Sequence, residues 1–319
     1  MDVERRVTIA VMTFRRPGDL AEILPLLAVQ AAASATDRTA VDVLVVDNDP
    51  DGTARAQVAT FATEAARSGV DVRYEHENVP GISAARNRAL DASTESDILV
   101  FIDDDERPVD RWLALLLETF DDEQPVAVVG PVISHFEVEP EPWVVAGRFF
   151  DRRRLPTGTH VDVAATNNLL LDLNRIRVAG LRFDLEYGIT GGGDTMFTKQ
   201  IRAHGGEMVW CDEAVVHDIV PRERLTRRWV LIRALRSGNS WSLTSVDSVP
   251  SGTARLGVRL RLTGRGVVRL VGGSARFAAG VIFRRDAHQA RGLRSAARGL
   301  GMTTGAWGYR YREYRRDHR

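Results

Sequence analysis

Three consecutive aspartates, Asp103, Asp104 and Asp105, directly follow an apolar run from Ile98 to Ile102. That run has the length and composition of a strand buried on both faces. Neighbouring carboxylates repel one another when all are ionised, and a cation or a set of hydrogen-bond donors removes that cost. Mg²⁺ prefers oxygen ligands and commonly shares one or two carboxylates with substrate phosphates. The stretch therefore indicates a metal–phosphate site at a strand end, and a solvated acidic turn is the alternative.

The chain around these aspartates alternates apolar strands with helical patterns. Strands are predicted over 7–12, 41–46, 70–75 and 98–102, and helices over 19–33, 54–67 and 83–92. This alternation predicts an α/β protein with a parallel, doubly wound sheet. Polar residues follow the strand ends at Thr13, Asp47 and Asp103, which is where an open α/β sheet binds its ligands. We therefore expect a nucleotide site at that edge.

The middle of the chain holds polar groups in unusual surroundings. Asn167 and Asn168 lie inside an apolar run, where amides serve either a hydrogen-bonded core network or a ligand. The glycines at 191–193 give a backbone suited to close approach or movement. Asp194 follows them at the start of a predicted helix, as its N-cap or as a functional carboxylate. His217 ends a short strand and is either a metal ligand or an ordinary histidine.

Composition narrows the class of protein. The 319 residues suffice for one large domain or two small ones. A single cysteine, Cys211, excludes an intramolecular disulfide framework and favours a reducing compartment. The N-terminus lacks the apolar segment of a signal peptide, and no apolar run has the length that spans a bilayer. We therefore expect a cytoplasmic protein.

The formal net charge of zero conceals two parts of opposite sign. Residues 1–221 carry 21 Arg or Lys and 38 Asp or Glu, whereas residues 222–319 carry 22 Arg and 5 Asp or Glu. On a helical wheel of 255–283, one side holds Arg255, Arg259, Arg265, Arg269 and Arg276, and the other holds Leu256, Leu260, Val267, Leu270 and Val271. Such a helix, followed by Trp and Tyr in 305–314, suits an anionic membrane surface. Packing against the acidic part of the chain is the alternative, and no recognition motif supports nucleic acid.

Five segments resemble, in order, the motifs of family 2 glycosyltransferases. They read VTIAVMTFRRP, LVVDNDPDG, NVPGISAARNRA, FIDDDE and GGGDTMF, and the resemblance covers roughly residues 5–240. It implies a GT-A (Rossmann-like) fold, a nucleotide-sugar-binding mixed sheet flanked by helices, with a C-terminal basic helical extension. The implied catalytic domain is 1–240, with a nucleotide half of about 1–130 and an acceptor half of about 131–240. Residues 241–319 form the implied amphipathic tail.

The same resemblance implies roles for individual residues. Contacts to the nucleotide sugar are expected from Thr13, Arg15, Asp47, Asn78, Arg86, Asp103 and Asp104. Contacts to the acceptor are expected from Asn167, Asn168, Gly192, Gly193 and Trp229. Mg²⁺ or Mn²⁺ would be held through the D-x-D pattern by Asp103 and Asp105, with His217 completing the shell. Asp194 would be the general base.

Two departures from the family pattern bear on the expected activity. An acidic residue often precedes the base, and here Gly193 stands there. Processive members carry Gln-x-x-Arg-Trp, and residues 225–229 lack the glutamine. We therefore expect an inverting enzyme that adds one sugar from a nucleoside-diphosphate sugar to a lipid-linked saccharide. The resemblance is to bacterial polysaccharide- or glycolipid-assembly enzymes, at the inner face of the plasma membrane.

Two other functions stand beside this one. A non-catalytic nucleotide-sugar-binding or scaffold protein of the same fold would keep the metal site and have an inert Asp194. A nucleotidyltransferase would also use aspartates and Mg²⁺, but that class generally needs a phosphate loop rich in glycine and lysine. The segment from Val7 to Arg16 contains neither residue type, which counts against it.

Overall fold

The computed structural model describes residues 4–188, 191–250 and 252–311. The chain forms two compact units. Unit 1 comprises Met1–Ile133, Arg152–Gly188 and Gly193–Asp218, and unit 2 comprises Ser134–Asp151, Ile189–Gly192 and Ile219–Arg319. The end of the predicted Trp- and Tyr-containing segment, from residue 312, lies outside the described residues.

A seven-stranded mixed sheet forms the centre of unit 1. Its strands are β1 (Arg5–Thr13), β2 (Thr39–Asp47), β3 (Asp71–His76), β4 (Ile98–Asp103), β6 (Ala127–Val129), β8 (Asn168–Asp172) and β9 (Met208–Trp210). They lie in the order β3-β2-β1-β4-β8-β6-β9. Only β8 runs antiparallel to its neighbours in this sheet. The predicted mixed α/β class is confirmed.

Helices cover both faces of this sheet. They are α1 (Pro17–Ser34), α2 (Arg55–Ala65), α3 (Ile82–Ala92), α4 (Trp112–Glu123), α6 (Leu173–Val178) and α7 (Gly193–Ala203). Side chains alternate along a strand, so Val7 and Ile9 of β1 pack with α1, α2 and α4. Ala10 and Met12 pack on the other face, with α3 and α7. The sheet is buried on both faces, which explains the continuous apolar runs.

The strand register brings the polar strand ends to one edge of the sheet. Thr13 pairs with Asp47 between β1 and β2, and Asp47 pairs with His76 between β2 and β3. On the other side of β1, Met12 pairs with Asp103 of β4. Thr13, Asp47 and Asp103 therefore lie at neighbouring carboxyl ends, as predicted from their positions after the strands.

A second sheet continues the chain after the aspartates. Its strands are β5 (Glu106–Pro108), β10 (Val216–Val220) and β7 (Val132–Phe136), in the order β5-β10-β7. β5 pairs antiparallel with β10, with Glu106 opposite Asp218 and Arg107 opposite His217. The acidic stretch thus passes directly into a strand, which the sequence reasoning did not predict.

Unit 2 is mainly helical. It holds α5 (Pro142–Gly147), α8 (Arg227–Asp247), α9 (Gly252–Ile282) and α10 (Asp286–Ala306). Glycines spaced by seven residues, Gly266, Gly273 and Gly280, are the positions where α9 meets α10 backbone to backbone. A Cβ added to Gly273 would lie 2.5 Å from the backbone nitrogen of Ala296. Among the described residues, no helix has both the length and the apolar character needed to cross a bilayer.

Candidate active site

The three aspartates have different environments. Asp104 is 3% exposed, and its carboxylate accepts hydrogen bonds from Thr13 Oγ1 at 2.9 Å and from Arg16 Nη1 at 2.7 Å. Arg16 Nη1 also donates to Asp105 Oδ2 at 3.0 Å. Asp103 ends β4 and keeps about a third of its side chain exposed, 35%. The stretch is therefore not a solvated acidic turn, because Asp104 is fixed inward and holds the loop that follows β1.

Negative charge accumulates at the end of β4. Partial burial raises the pKa of Asp103 to about 7; the charge of Arg86 opposes this, and those of Asp105 and Asp194 add to it. Burial also raises the pKa of Asp104 to about 6, against the opposing charge of Arg16. The positive charge of these arginines therefore falls short of offsetting burial and the neighbouring carboxylates. A bound cation would offset that deficit.

Glu106 belongs to the same acidic cluster and was missed by the sequence reasoning. Its buried carboxylate accepts from the backbone N–H of Asp103 at 3.1 Å and from Asn167 Nδ2 at 2.5 Å. Burial and the charge of Asp103 raise the pKa of Glu106 well above its ordinary value. Opposite Glu106 in the second sheet, Asp218 accepts from Arg152 Nη2 at 2.8 Å. The only sequence signal was its position directly after the three aspartates.

Asn168 and Asn167 have separate roles. The side chain of Asn168 is 1% exposed; its Oδ1 accepts from Trp112 Nε1 at 2.9 Å. Its Nδ2 donates to the carbonyls of Pro131 and Ala214, at 3.1 and 2.7 Å. This placement favours the core-network alternative for Asn168 over a contact to the acceptor. Asn167 instead reaches the acidic cluster through Glu106.

Asp47 shapes the loop after β2. It is fully buried; its Oδ1 accepts from the backbone N–H of Asp49 at 2.9 Å. Its Oδ2 accepts from the N–H of Ala54 at 2.9 Å and from the Tyr74 hydroxyl at 3.1 Å. Arg15 lies over the same loop and donates to Asp49 Oδ1 at 3.0 Å. Asp47 therefore fixes the backbone of the loop after β2.

Asn48 joins this loop to the next one, another contact that sequence reasoning missed. Its Nδ2 donates to the carbonyls of Glu77 and Val79, at 2.9 and 2.7 Å. Its Oδ1 accepts from the N–H of Gly81 at 3.0 Å. Asn78, predicted to contact the nucleotide sugar, is exposed on the loop that Asn48 holds.

Arg86 links the acidic cluster to Asp194. The Arg86 side chain is almost wholly buried in α3, and its Nη1 donates to Asp194 Oδ1. Its Nη2 lies 3.9 Å from Asp103 Oδ1. The second oxygen of Asp194 accepts from the backbone N–H of Thr166 at 3.2 Å. α7 begins at Gly193, so Asp194 lies within its first turn, and its carboxylate is held by α3 and by the loop before β8.

The chain is similar in sequence to known proteins. The family described as "Glycosyl transferase family 2" matches residues 8–172, more than half of the chain. The succinoglycan biosynthesis protein ExoM of Rhizobium meliloti (strain 1021) is 37% identical over 234 residues, which cover 73% of this chain and 73% of that protein. This chain belongs to glycosyltransferase family 2. The predicted family is confirmed, and the nucleotidyltransferase alternative is excluded.

Solved structures of this glycosyltransferase's fold are also known. A Pyrobaculum calidifontis mannosyltransferase in complex with GDP-Man and Mn²⁺ aligns with a TM-score of 0.61 at 17% identity, covering 95% of this chain and 87% of that one. GalNAc-T7 with UDP, GalNAc and Mn²⁺ aligns with a TM-score of 0.52 at 12% identity, covering 78% of this chain and 52% of that one. These likenesses confirm the predicted GT-A fold.

The carboxylates at the end of β4 do not form a complete metal site by themselves. Within the part of the chain that the structure describes, no three His, Cys, Asp or Glu side chains are arranged to hold an ion by themselves. The predicted set of Asp103, Asp105 and His217 is therefore not a preformed site of protein ligands alone. A metal bound with substrate phosphates needs only one or two carboxylates. The charge around Asp103 and Asp105 suits that requirement, and His217 lies on β10 beside β5.

The other predicted acceptor contacts of the glycosyltransferase divide between the two units. Gly193 is buried in unit 1, where a Cβ would lie 3.0 Å from Ser83 Oγ. Gly192 and Trp229 belong to unit 2, and Gly192 has a φ of 101°, in the left-handed region that favours glycine. The Trp229 ring stacks on Phe150 with centroids 6.1 Å apart, and both rings join the apolar cluster of unit 2.

Proposed function

We propose that this chain is an inverting glycosyltransferase that moves one sugar from a nucleoside-diphosphate sugar to a lipid-linked saccharide during polysaccharide assembly. One observation carries the proposal. Arg86 binds Asp194 and approaches Asp103, so the predicted base and the acidic strand end lie on either side of one buried cation. The name of the Rhizobium meliloti relative, a succinoglycan biosynthesis protein, supports the polysaccharide as the class of product.

The donor would bind along the carboxyl edge of the sheet. Asp103 and Asp105 would hold Mg²⁺ or Mn²⁺, whose charge stabilises the leaving diphosphate when the ion is bound. Asp104 contributes indirectly, because it fixes Thr13 and Arg16 in the loop after β1. The nucleobase and ribose of the donor would lie against the loop that Asp47 organises, with Arg15 beside that loop.

Asp194 would act as the general base. Its carboxylate would take the proton of the acceptor hydroxyl as that oxygen attacks the anomeric carbon. The bond from the anomeric carbon to the diphosphate oxygen breaks in the same displacement, and the electron pair leaves with the nucleoside diphosphate. One displacement from the opposite face inverts the anomeric configuration. The hydrogen bonds from Arg86 and from the N–H of Thr166 hold the carboxylate in place.

The first test is thermal stabilisation by nucleoside diphosphates. UDP, GDP, dTDP and CDP are each added with Mn²⁺ and again with EDTA, and the melting temperature is recorded. We expect one nucleotide to raise the melting temperature, and EDTA to abolish the shift. A shift that survives EDTA contradicts the metal in the proposal, and no shift with any nucleotide contradicts the donor site.

The second test separates an enzyme from a scaffold of the same fold. The stabilising nucleotide identifies the donor class, and transfer from the matching sugar nucleotides is then followed on lipid extracts that carry saccharide acceptors. Transfer with inverted anomeric configuration, detected by NMR of the product, is the expected result. Donor binding without transfer to any acceptor or to water would favour the scaffold.

A further inference from the structure

The outward face of α9 is apolar along nearly the whole helix. The residues of α9 that are buried, Leu262, Gly266, Gly273 and Gly280, share the opposite face, which packs on α10. Apart from Val281, the exposed large apolar side chains of α9 are Leu256, Leu260, Val267, Val268, Val271 and Ile282. At 3.6 residues per turn they fall within a sector of roughly 120°. We call these six residues the α9 apolar face.

This face is long, continuous and accessible. Leu260, Val271 and Ile282 are 57%, 62% and 73% exposed. From Leu256 to Ile282 the helix advances about 39 Å, at about 1.5 Å per residue. The same sector holds no charged residue, since its other members are Thr253, Gly257, Gly264, Ser274, Ala275 and Ala278. Contiguous exposed apolar surface of this kind marks an interaction site.

Arginines border the α9 apolar face. Arg261, Arg265 and Arg276 are exposed along one side of it. On the other side, the guanidinium of Arg259 lies 5.7 Å from the ring centroid of Trp307. The helical wheel places five arginines, Arg255, Arg259, Arg265, Arg269 and Arg276, on the side away from the apolar residues. The structure adds that the buried glycines lie on that same side, where α9 packs on α10.

An exposed tryptophan extends the surface. Trp307 follows α10 and is fixed beside α9, because its Nε1 donates to Thr263 Oγ1 at 3.0 Å. Tyr309 lies two residues further and is also exposed. Tryptophan and tyrosine favour the boundary between hydrocarbon and water, where one end of the side chain is apolar and the other is hydrated.

We propose that the α9 apolar face is a docking surface for an anionic lipid bilayer. Its apolar side chains would enter the boundary between headgroups and acyl chains, with the bordering arginines on anionic headgroups. A second copy of the chain fits less well, because α9 carries six arginines and no Asp or Glu. If two such faces packed together, the arginines of both copies would lie close to one another without acidic residues on α9 to neutralise them. The inference does not depend on the donor chemistry proposed above.

The test is co-sedimentation of the full chain with vesicles. Vesicles of phosphatidylcholine alone are compared with vesicles of phosphatidylcholine mixed with phosphatidylglycerol. The variant L260E/V271E places charges in the α9 apolar face. Its matched control, V29E/V178E, makes the same change at exposed valines of α1 and α6. We expect L260E/V271E to lower the affinity for mixed vesicles at least about tenfold, because two apolar side chains no longer leave water. The control should bind like the natural sequence.

The contribution of the bordering arginines to vesicle binding is tested with the variant R261Q/R265Q. We expect roughly fivefold weaker binding to mixed vesicles for each arginine removed, equivalent to about 1 kcal/mol. Binding of the natural sequence should also weaken at about 1 M salt, where the Debye length falls to about 3 Å. Equal binding of natural sequence and L260E/V271E overturns the proposal, as does the absence of binding to mixed vesicles.

Self-association is measured on the same samples by analytical ultracentrifugation. A dimer that L260E/V271E dissociates, together with no vesicle binding, would assign the face to a second copy and overturn the lipid proposal. The nucleotide-induced shift in melting temperature is recorded in parallel. We expect L260E/V271E to keep that shift, so that a failure of the docking surface is distinguished from a failure of the donor site.

Discussion

Arg86 donates from Nη1 to Oδ1 of Asp194, and its Nη2 lies 3.9 Å from Oδ1 of Asp103. This almost fully buried cation therefore lies between the carboxylate expected to act as base and the carboxylate at the end of β4. Its Nε is also buried and has no hydrogen-bond partner among the described residues. The positive charge of Arg86 lowers the cost of holding two carboxylates close together in the site.

Replacement of Arg86 by methionine should therefore destabilise the protein. Removing one partner of a buried ion pair commonly costs about 3–5 kcal/mol, and we expect the lower end because Asp194 is half-buried. The measurement is the free energy of unfolding by urea. Arg88→Met is the matched control, since Arg88 bonds Glu75 at a more exposed position of the same helix and should cost less than about 1 kcal/mol. Equal losses in the two variants would contradict this account.

Replacement of Asp194 by asparagine should remove the base and keep the shape of the site. General base assistance is typically worth about 10²–10⁴-fold, so turnover should fall by that much. The nucleotide-induced rise in melting temperature should persist. Asp286→Asn, also in the first turn of a helix, is the control and should keep full turnover. Near-normal transfer by Asp194→Asn would remove Asp194 from the catalytic role.

Asp103 and Asp105 should be required for the metal-dependent part of nucleotide binding. In the variants Asp103→Asn and Asp105→Asn, the nucleotide should raise the melting temperature no more in the presence of Mn²⁺ than in the presence of EDTA. Asp110→Asn, an exposed aspartate shortly after β5, should behave like the natural sequence. A full Mn²⁺ response in both site variants would show that other groups hold the ion.

The role of Asp104 should differ from those of Asp103 and Asp105, because we expect it to support the fold and not to hold the metal. Asp104→Asn weakens the charge-assisted bonds to Arg16 and Thr13, so its main effect should be on stability, a loss of about 1–3 kcal/mol. Urea unfolding measures the loss, with Asp110→Asn again as the exposed control. A variant with unchanged stability and no response to Mn²⁺ would instead place Asp104 among the metal ligands.

The sheet and its ligand edge could be predicted from the sequence because both depend on local patterns. The apolar runs mark buried strands, and a polar residue directly after a strand must lie at the sheet edge whatever follows. The positions of Thr13, Asp47 and Asp103 could be predicted without knowledge of distant contacts, since parallel register alone brings their strand ends together.

The contacts that join the site could not be predicted in this way. Arg16 reaches Asp104 across 88 residues, and Arg86 reaches Asp194 across 108 residues. Such pairings depend on how loops cross the sheet edge, and no periodic pattern encodes them. The apolar surroundings of Asn168 likewise gave two interpretations, because an amide in an apolar run is equally compatible with a core network and a ligand until Trp112 is seen beside it.

Alanine substitutions at two adjacent glycines of α9 should change the stability of the protein in opposite directions. A Cβ on Gly273 would lie 2.5 Å from Ala296 N and 2.7 Å from Gly292 O, whereas one on Gly272 meets nothing within 4 Å. Gly272→Ala should therefore stabilise by up to about 1 kcal/mol through helix propensity. Gly273→Ala should destabilise by about 1–3 kcal/mol, because α9 and α10 must separate. Urea unfolding followed by circular dichroism measures both, and stabilisation by Gly273→Ala would contradict the close contact between the two helices.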